Sequence, residues 1–420
     1  MSFETISVIG LGYIGLPTAA MFASRKKKVI GVDVNQHAVD TINQGKIHIV
    51  EPDLDMMVHA AVSGGYLKAT TTPEAADAFL IAVPTPFLPC AEGDIPAPDL
   101  SYIEAASKAI APVLKKGDLV ILESTSPVGA TEQMAAWLAE ARSDLTFPQT
   151  HGEEADVNIA HCPERVLPGH VVRELVENDR VIGGLTVNCS ARAVELYKTF
   201  VQGECVITNA RTAEMAKLTE NSSRDVQIAF ANELSIICDK LDINVWELIA
   251  LANRHPRVNI LQPGPGVGGH CIAVDPWFIV SKTPDEAQII HTARRVNDSK
   301  PEWVIEKVKL AIADFLQSNP DKTIKDITIA CWGLAFKPNI DDLRESPSLR
   351  ISEKLASLYP GRVLAVEPNI EYLESNSTLE LVKPNSGLNA DIHVMLVNHT
   401  EFSQTKIASE KIKVNATHIE

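Results

Sequence analysis

The sequence predicts an α/β protein: an N-terminal doubly wound sheet, a central all-α segment built on a long helix, and a smaller C-terminal α/β domain of the first kind. Three observations predict it. Short apolar runs alternate with longer helical patterns through residue 208, the signature of βαβ units. Residues 212–241 contain neither Gly nor Pro, as a long uninterrupted helix requires. After a polar stretch, 318–325, the alternation restarts.

The expected strands of the first part are TISVI (5–9), KVIGV (28–32), FLIAV (79–83), DLVIL (118–122), VNIAH (157–161) and RVIGG (180–184). Such continuous runs suit strands covered on both faces in a parallel sheet. Helices are expected at 16–24, 36–44, 52–62, 101–115 and 130–142. The long helix is followed by a second at 245–253, a Gly- and Pro-rich loop from 255 to 269, and two more helices at 285–298 and 301–316. In the last part, strands are expected at 326–332, 362–367 and 391–397, with a helix at 347–358. The last 20 residues give little signal. The two ends read as distant copies of one architecture.

Composition narrows the function. The chain has 420 residues, with 38 Lys and Arg against 54 Asp and Glu, a formal charge of −16. An acidic chain is a poor binder of nucleic acid or of an anionic membrane. Seven cysteines, an odd number with no C-x-x-C, argue against a disulfide framework and for a reducing compartment. The first residues carry no signal-peptide pattern, and no apolar run approaches the roughly 18 residues that span a bilayer. The expectation is a cytoplasmic protein.

Gly10-Leu11-Gly12-Tyr13-Ile14-Gly15 follows the first expected strand and opens the first helix. In G-x-G-x-x-G the first Gly permits a tight turn, the second lets backbone approach a pyrophosphate, and the third allows close helix–strand packing. The helix N-terminus adds N–H donors for phosphate. Asp33 ends the second strand, where a carboxylate accepts from ribose hydroxyls and repels a 2′-phosphate, so NAD is expected over NADP. Thr85, in Pro84-Thr85-Pro86, and Ser124-Thr125 also follow strand ends. They suit either ribose and nicotinamide contacts or turn chemistry.

Gly268-Gly269-His270-Cys271 leads to Asp275 four positions on. Taken alone, Cys271 is either a nucleophile beside a helix start or a buried small apolar residue. Metal spacing is lacking, so no metal site is expected. Lys217, Asn221 and Arg224 share one helix face at i, i+4 and i+7, a solvated face or an oxyanion site. Cys162-Pro163-Glu164-Arg165 follows a strand end, as does Gly333-Leu334-Ala335-Phe336-Lys337-Pro338, with Arg344 close behind. That last segment suits anion binding or surface ion pairing.

Together GLGYIG, PTP, STSPVG, PER, KLTEN, GGHCIAVD and FKPNIDDLRESP resemble the nucleotide-sugar 6-dehydrogenase family, which includes UDP-glucose and GDP-mannose dehydrogenases. The resemblance implies a Rossmann NAD-binding domain over 1–208, a central helical dimerisation and catalytic domain over 209–317, and a UDP-sugar-binding Rossmann-like domain over 318–420. It implies a four-electron oxidation using two NAD. Cys271 would be the nucleophile, Lys217 a proton donor or oxyanion stabiliser, Asn221 its partner, with Asp275 and Glu164 assisting. Gly10, Gly12, Tyr13, Ile14, Gly15, Asp33, Thr85, Ser124, Thr125 and Arg344 would contact the cofactor. Arg165, Val166, Lys217, Asn221, Arg224, His255, Arg257, Gly268, Phe336 and Lys337 would contact the UDP-sugar.

Two departures from UDP-glucose enzymes stand out. Val274 replaces a Lys three residues after the Cys, and Pro168 replaces a second strand-end Glu. The implied substrate is therefore a 2-acetamido sugar, UDP-N-acetyl-D-mannosamine, on the way to bacterial surface polysaccharide such as enterobacterial common antigen. Its C2 epimer UDP-N-acetylglucosamine, and a non-catalytic nucleotide-sugar binder, are the alternatives. A homodimer or larger homo-oligomer is expected, with no nucleic acid, membrane or metal partner.

Overall fold

The computed structural model describes residues 3–49, 51–91, 93–166, 169–373, 377 and 379–418. The chain packs as two compact units, Met1–Glu220 and Asn221–Glu420.

The first unit is built on strands β1 (Thr5–Ile9), β2 (Lys28–Val32), β3 (Leu67–Thr70), β4 (Ala78–Ile81), β5 (Leu119–Leu122), β6 (Asn158–His161), β7 (Arg180–Gly184) and β8 (Cys205–Asn209). They form one sheet in the order β3-β2-β1-β4-β5-β6-β7-β8. All pairs are parallel except β6 with β7. Alternate residues serve opposite layers. Ile6, Val8, Leu80 and Ile121 pack with Leu16, Phe22 and Tyr197 on one face. Ile9, Phe79, Ile81, Val120 and Leu122 pack with Met134 and Leu138 on the other. The order reverses at β1, between β2 and β4, and ligands of open α/β sheets bind at such a switch point.

The second unit contains a five-stranded parallel sheet of β9 (Thr328–Trp332), β10 (Arg362–Val366), β11 (Glu380–Val382), β12 (Ile392–Met395) and β13 (Ile412–Asn415). Its order, β11-β10-β9-β12-β13, repeats the first five positions of the larger sheet. One face is covered by the helices Gln288–Ser318 and Pro347–Leu358, through Val304, Val308, Ile351 and Leu355. The other buries Trp332, Val366 and Phe402.

The long helix is Ala210–Lys240. Two differences from the sequence reading have physical causes. The expected pair of helices at 285–298 and 301–316 is one helix, Gln288–Ser318, with Pro301 inside it. An interior proline costs about 3 kcal/mol. Here both halves are buried, by Arg294 and Asn297 before it and by Val304, Ile305 and Val308 after it, and their packing outweighs that cost. Four strands had no apolar-run signal: LKAT, CVITN, ELV and IKVN. They are the four sheet edges. An edge strand is not sandwiched as a central one is, so its run is mixed rather than apolar. The last of them lies within the final 20 residues.

Candidate active site

The turn after β1 has the conformation its glycines were read to require. Gly10 lies at φ +91°, and its N–H donates to Val32 O at 2.8 Å. A Cβ on Gly15 would overlap the Gly10 carbonyl, whereas one on Gly12 would meet no atom within 4 Å. Gly12 thus leaves backbone open to a ligand. Tyr13 is exposed and Ile14 half-buried at the start of the helix Gly15–Ser24. Asp33 takes the Leu11 N–H on Oδ2 at 2.8 Å and the Asn35 N–H on Oδ1 at 2.9 Å. It is half-buried, so its remaining lone pairs can meet a ribose.

Beyond β4 and β5, Ser124 donates through Oγ to Val83 O at 2.7 Å, which joins the two strand ends. Thr125 is half-buried. The buried Oγ1 of Thr85 has no hydrogen-bond partner among the described residues. An open Gly12, an oriented Asp33 and an unsatisfied hydroxyl at adjacent strand ends fit a dinucleotide.

Glu164 follows β6 and is buried. Its Oε2 accepts from Arg180 Nη1 at 3.0 Å, and its Oε1 accepts the Arg165 N–H at 2.6 Å. The buried Arg180 guanidinium lies 5.1 Å from the Tyr197 ring centre. Tyr197 donates its hydroxyl to Glu123 Oε1 at 2.6 Å. Burial pushes the Glu123 carboxyl up to about 7, opposed by the nearby Arg180 charge. Neither Glu123, Arg180 nor Tyr197 was singled out in the sequence. Arg180 and Tyr197 stand 16 and 33 positions beyond Glu164, and only the fold brings them together. The Arg165 side chain pairs with Glu220, Nη2 to Oε1 at 2.7 Å. Val166 is half-buried beside it. Pro168 lies outside the described residues.

In the second unit, helix Asp275–Lys282 begins at Asp275 itself. The Cys271 carbonyl accepts the N–H of Asp275 at 2.8 Å and of Val274 at 3.1 Å, closing a turn that carries the thiol. Asp275 is 3% exposed, and its Oδ2 accepts from Asn221 Nδ2 at 2.5 Å. The cysteines separate by environment: burial pushes Cys162 and Cys331 up to about 12, whereas Cys271 is exposed. Gly268 sits where a Cβ would stand 2.6 Å from Glu345 O and 2.7 Å from Phe336 Cβ. Gly269 donates its N–H to Arg344 O at 3.1 Å.

Lys217 and Asn221 lie one turn apart on the long helix, Lys217 half-buried and Arg224 exposed. His255, Arg257 and Lys337 are exposed on loops of the second unit. The Arg344 guanidinium grips Asp342, Nη2 to Oδ2 at 2.5 Å. No cluster of His, Cys, Asp or Glu among the described residues could hold a metal. None of their helices is long and apolar enough to cross a membrane.

Three family models cover nearly the whole chain: the NAD binding domain of the UDP-glucose/GDP-mannose dehydrogenase family over residues 4–201, its central domain over 211–299 and its UDP binding domain over 330–419. The chain belongs to the UDP-glucose/GDP-mannose dehydrogenase family. It is an NAD-dependent nucleotide-sugar dehydrogenase, as its relatives are. A UDP-N-acetyl-D-mannosamine dehydrogenase of Yersinia pestis is 69% identical over 97% of this chain and 96% of its own. An NDP-N-acetyl-D-galactosaminuronic acid dehydrogenase of Ralstonia nicotianae is 65% identical over 96% and 92%. Among solved structures, a UDP-D-ManNAc dehydrogenase of Pyrococcus horikoshii superposes with a TM-score of 0.84 at 37% identity, covering 99% of this chain and 96% of that one.

Proposed function

We propose that this dehydrogenase oxidises UDP-N-acetyl-D-mannosamine at C6 to UDP-N-acetyl-D-mannosaminuronic acid. The observation that carries this reading is the 69% identity to the Yersinia enzyme over nearly the full length of both chains. Val274 at the N-cap of the helix after Cys271, in place of a cation, supports a 2-acetamido sugar over glucose.

The Gly10–Gly15 turn, Asp33, Thr85, Ser124 and Thr125 would hold NAD, which when bound would supply the hydride acceptor for each of two oxidations at C6. The residues of the chain do the rest. As the first hydride leaves, a proton leaves the C6 hydroxyl, and the alcohol becomes an aldehyde. The Cys271 thiolate then adds to the carbonyl carbon, forming a C–S bond and an oxyanion that is protonated to a thiohemiacetal. Loss of the second hydride and of the hydroxyl proton gives a thioester. Water attacks its carbonyl, the C–S bond breaks, the thiolate is regenerated, and the sugar leaves as a carboxylate. Covalent capture retains the aldehyde between the oxidations. Lys217 and Asn221 stabilise the oxyanions, Asp275 orients the Asn221 amide, and Glu164 serves as the strand-end carboxylate that handles protons and water.

In this reading residues 1–208 bind NAD, 209–317 carry catalysis and dimerisation, and 318–420 bind UDP-sugar. Arg165, Val166, Arg224, His255, Arg257, Gly268, Phe336 and Lys337 face the substrate, and Arg344 the cofactor. The enzyme works in the cytoplasm as a homodimer or larger homo-oligomer, for surface polysaccharide.

The test incubates the purified protein with NAD⁺ and a panel of UDP-sugars: N-acetylmannosamine, N-acetylglucosamine, N-acetylgalactosamine and glucose. The expected result is fastest turnover of the first, with two NADH per sugar. Faster turnover of any other names that sugar instead. One NADH per sugar removes the thioester route.

A further inference from the structure

The two sheets carry one backbone stitch at the same station. In the first unit Gly10 follows β1 and donates to Val32 O, Leu11 N–H donates to one oxygen of Asp33, and Asn35 N–H donates to the other. In the second, Gly333 (φ +88°) follows β9 and donates to Val366 O at 2.9 Å. Leu334 N–H then donates to Glu367 Oε2 at 2.7 Å and Asn369 N–H to Oε1 at 2.9 Å.

The two carboxylates differ in what they have left. Glu367 is completely buried, and Oε2 also meets Ala335 N–H at 3.3 Å and His399 Nε2 at 3.1 Å. Oε2 thus has three donors against it and Oε1 one, and burial closes what is left of the carboxylate to any ligand. Glu367 therefore cannot read a ribose as Asp33 can.

His399, equally buried, shows what the second carboxylate does instead. Its Nδ1 accepts the backbone N–H of Asn339 at 3.0 Å. A backbone N–H only donates, so Nδ1 is unprotonated, and Nε2 carries the proton given to Glu367. Asn339, in the left-handed region at φ +62°, accepts from Thr400 N–H at 2.8 Å. The segment 334–339 is thus fastened at its start by Glu367 and at its end by His399. Between the fastenings lie Phe336 and Lys337. Phe336 packs on Gly268 and Gly269, where an added Cβ would come within 2.7 and 3.0 Å of it. Cys271 stands two residues further on.

We propose that Glu367 and His399 are positioning residues that clamp segment 334–339, so that Lys337 meets the UDP moiety and Phe336 seats the loop bearing Cys271. The proposal rests on the reading of Lys337 as a UDP-sugar contact.

The experiment measures binding of UDP and, separately, of NAD⁺ to the full-length enzyme by calorimetry, with KM and kcat for the sugar. H399L, which cannot hold Asn339, is expected to weaken UDP about 10-fold and raise the sugar KM alike, with NAD⁺ affinity within about twofold of wild type. E367Q, which loses an acceptor but keeps its shape, is expected to weaken UDP several-fold and serves if H399L does not fold. H399N, whose Oδ1 can accept from Asn339, is expected to recover part of the loss. Wild-type UDP affinity in folded H399L or E367Q overturns the clamp, and so does an equal loss of UDP and NAD⁺ affinity. K337A judges the underlying reading separately. Unchanged UDP binding there removes Lys337 from the site, and a loss there with none in H399L removes only the clamp.

Discussion

Asn221 gives its side-chain amide to the carboxylate of Asp275 at 2.5 Å, which ties the long helix to the residue whose N–H closes the Cys271 turn. Asp275 is almost fully buried, so this contact is shielded from water and strong for its kind. The bond fixes the rotamer of Asn221 and orients its amide. It also anchors the N-terminal residue of the helix that follows the thiol.

Replacing Asn221 by Ala removes this donor. Hydrogen bonds to charged groups are worth about 1.5–3 kcal/mol, or roughly 10- to 100-fold in rate. Asn221→Ala is expected to lower kcat by that factor while UDP binding stays near wild type. Single-turnover kinetics with mass spectrometry should show an enzyme-bound sugar persisting on Cys271. A variant with unchanged kcat would remove Asn221 from the chemistry.

Asp33 is oriented before any ligand arrives, because the N–H groups of Leu11 and Asn35 each take one of its oxygens. That preorganisation fixes a negative charge at the end of β2, and in the proposed cofactor site it would oppose a 2′-phosphate. Asp33→Ser is expected to reduce kcat/KM for NAD⁺ about 10-fold and to leave that for NADP⁺ equal or higher. Steady-state kinetics with both cofactors measures the change in ratio. An unaltered ratio would place cofactor choice elsewhere.

Much of this was legible in the sequence, for identifiable reasons. Central strands are covered on both faces, so their apolar runs are continuous. The glycines at 10 and 15 announce a turn because only Gly fits there, and Gly12 between them leaves the backbone open. Cys271 and Asp275 are near neighbours in sequence, so their relation could be read locally. Edge strands were missed because one side of each lacks a neighbour. The helix Gln288–Ser318 reads as two in the sequence because local propensity does not register burial on both sides of Pro301. Arg180, Tyr197, Glu367 and His399 were invisible for a different reason. Each acts through a partner 16 to 74 positions away, and a lone Arg at a strand start or a lone His near the C-terminus has no spacing to betray it.

Lys300 is buried in the helix Gln288–Ser318, with its ammonium against the Ser235 hydroxyl and 3.8 Å from the Trp303 ring centre. Burial pushes it down to about 7, with Asp239 pulling the other way. A depressed lysine contributes its full stability above its ordinary value near 10.5, and loses it as pH falls toward 7. Lys300→Met keeps the length and removes the charge. It is expected to raise the melting temperature at pH 6–7 by an amount worth about 1–4 kcal/mol, with the gain shrinking towards pH 10. Melting curves across that range decide it. A loss at pH 7 would mean that the Ser235 and Trp303 contacts outweigh desolvation.

Glu123 gives the opposite pH dependence and the sharpest test of the network beneath Glu164. It closes β5, is 1% exposed, and accepts from Tyr197 at 2.6 Å. Burial raises its carboxyl to about 7 from an ordinary value near 4.5, the Arg180 charge working against the shift and the Glu164 charge adding to it. A carboxyl raised in the folded state binds its proton more tightly there than in the unfolded chain. Its contribution is fully present below about 4.5 and is lost as pH rises through about 7. Glu123→Gln is neutral at every pH and keeps an oxygen for Tyr197. Wild type and variant should therefore melt together near pH 4.5–5. The variant should gain steadily up to about pH 7 and stay ahead above it, by about 3 kcal/mol at most. Thermal or urea unfolding at pH 5, 6, 7 and 8.5 measures the gap. A difference constant across that range would mean that Glu123 ionises as an ordinary carboxylate despite its burial. A loss in the variant that grows with pH would mean that the charge of Arg180 requires an ionised Glu123 as well as Glu164.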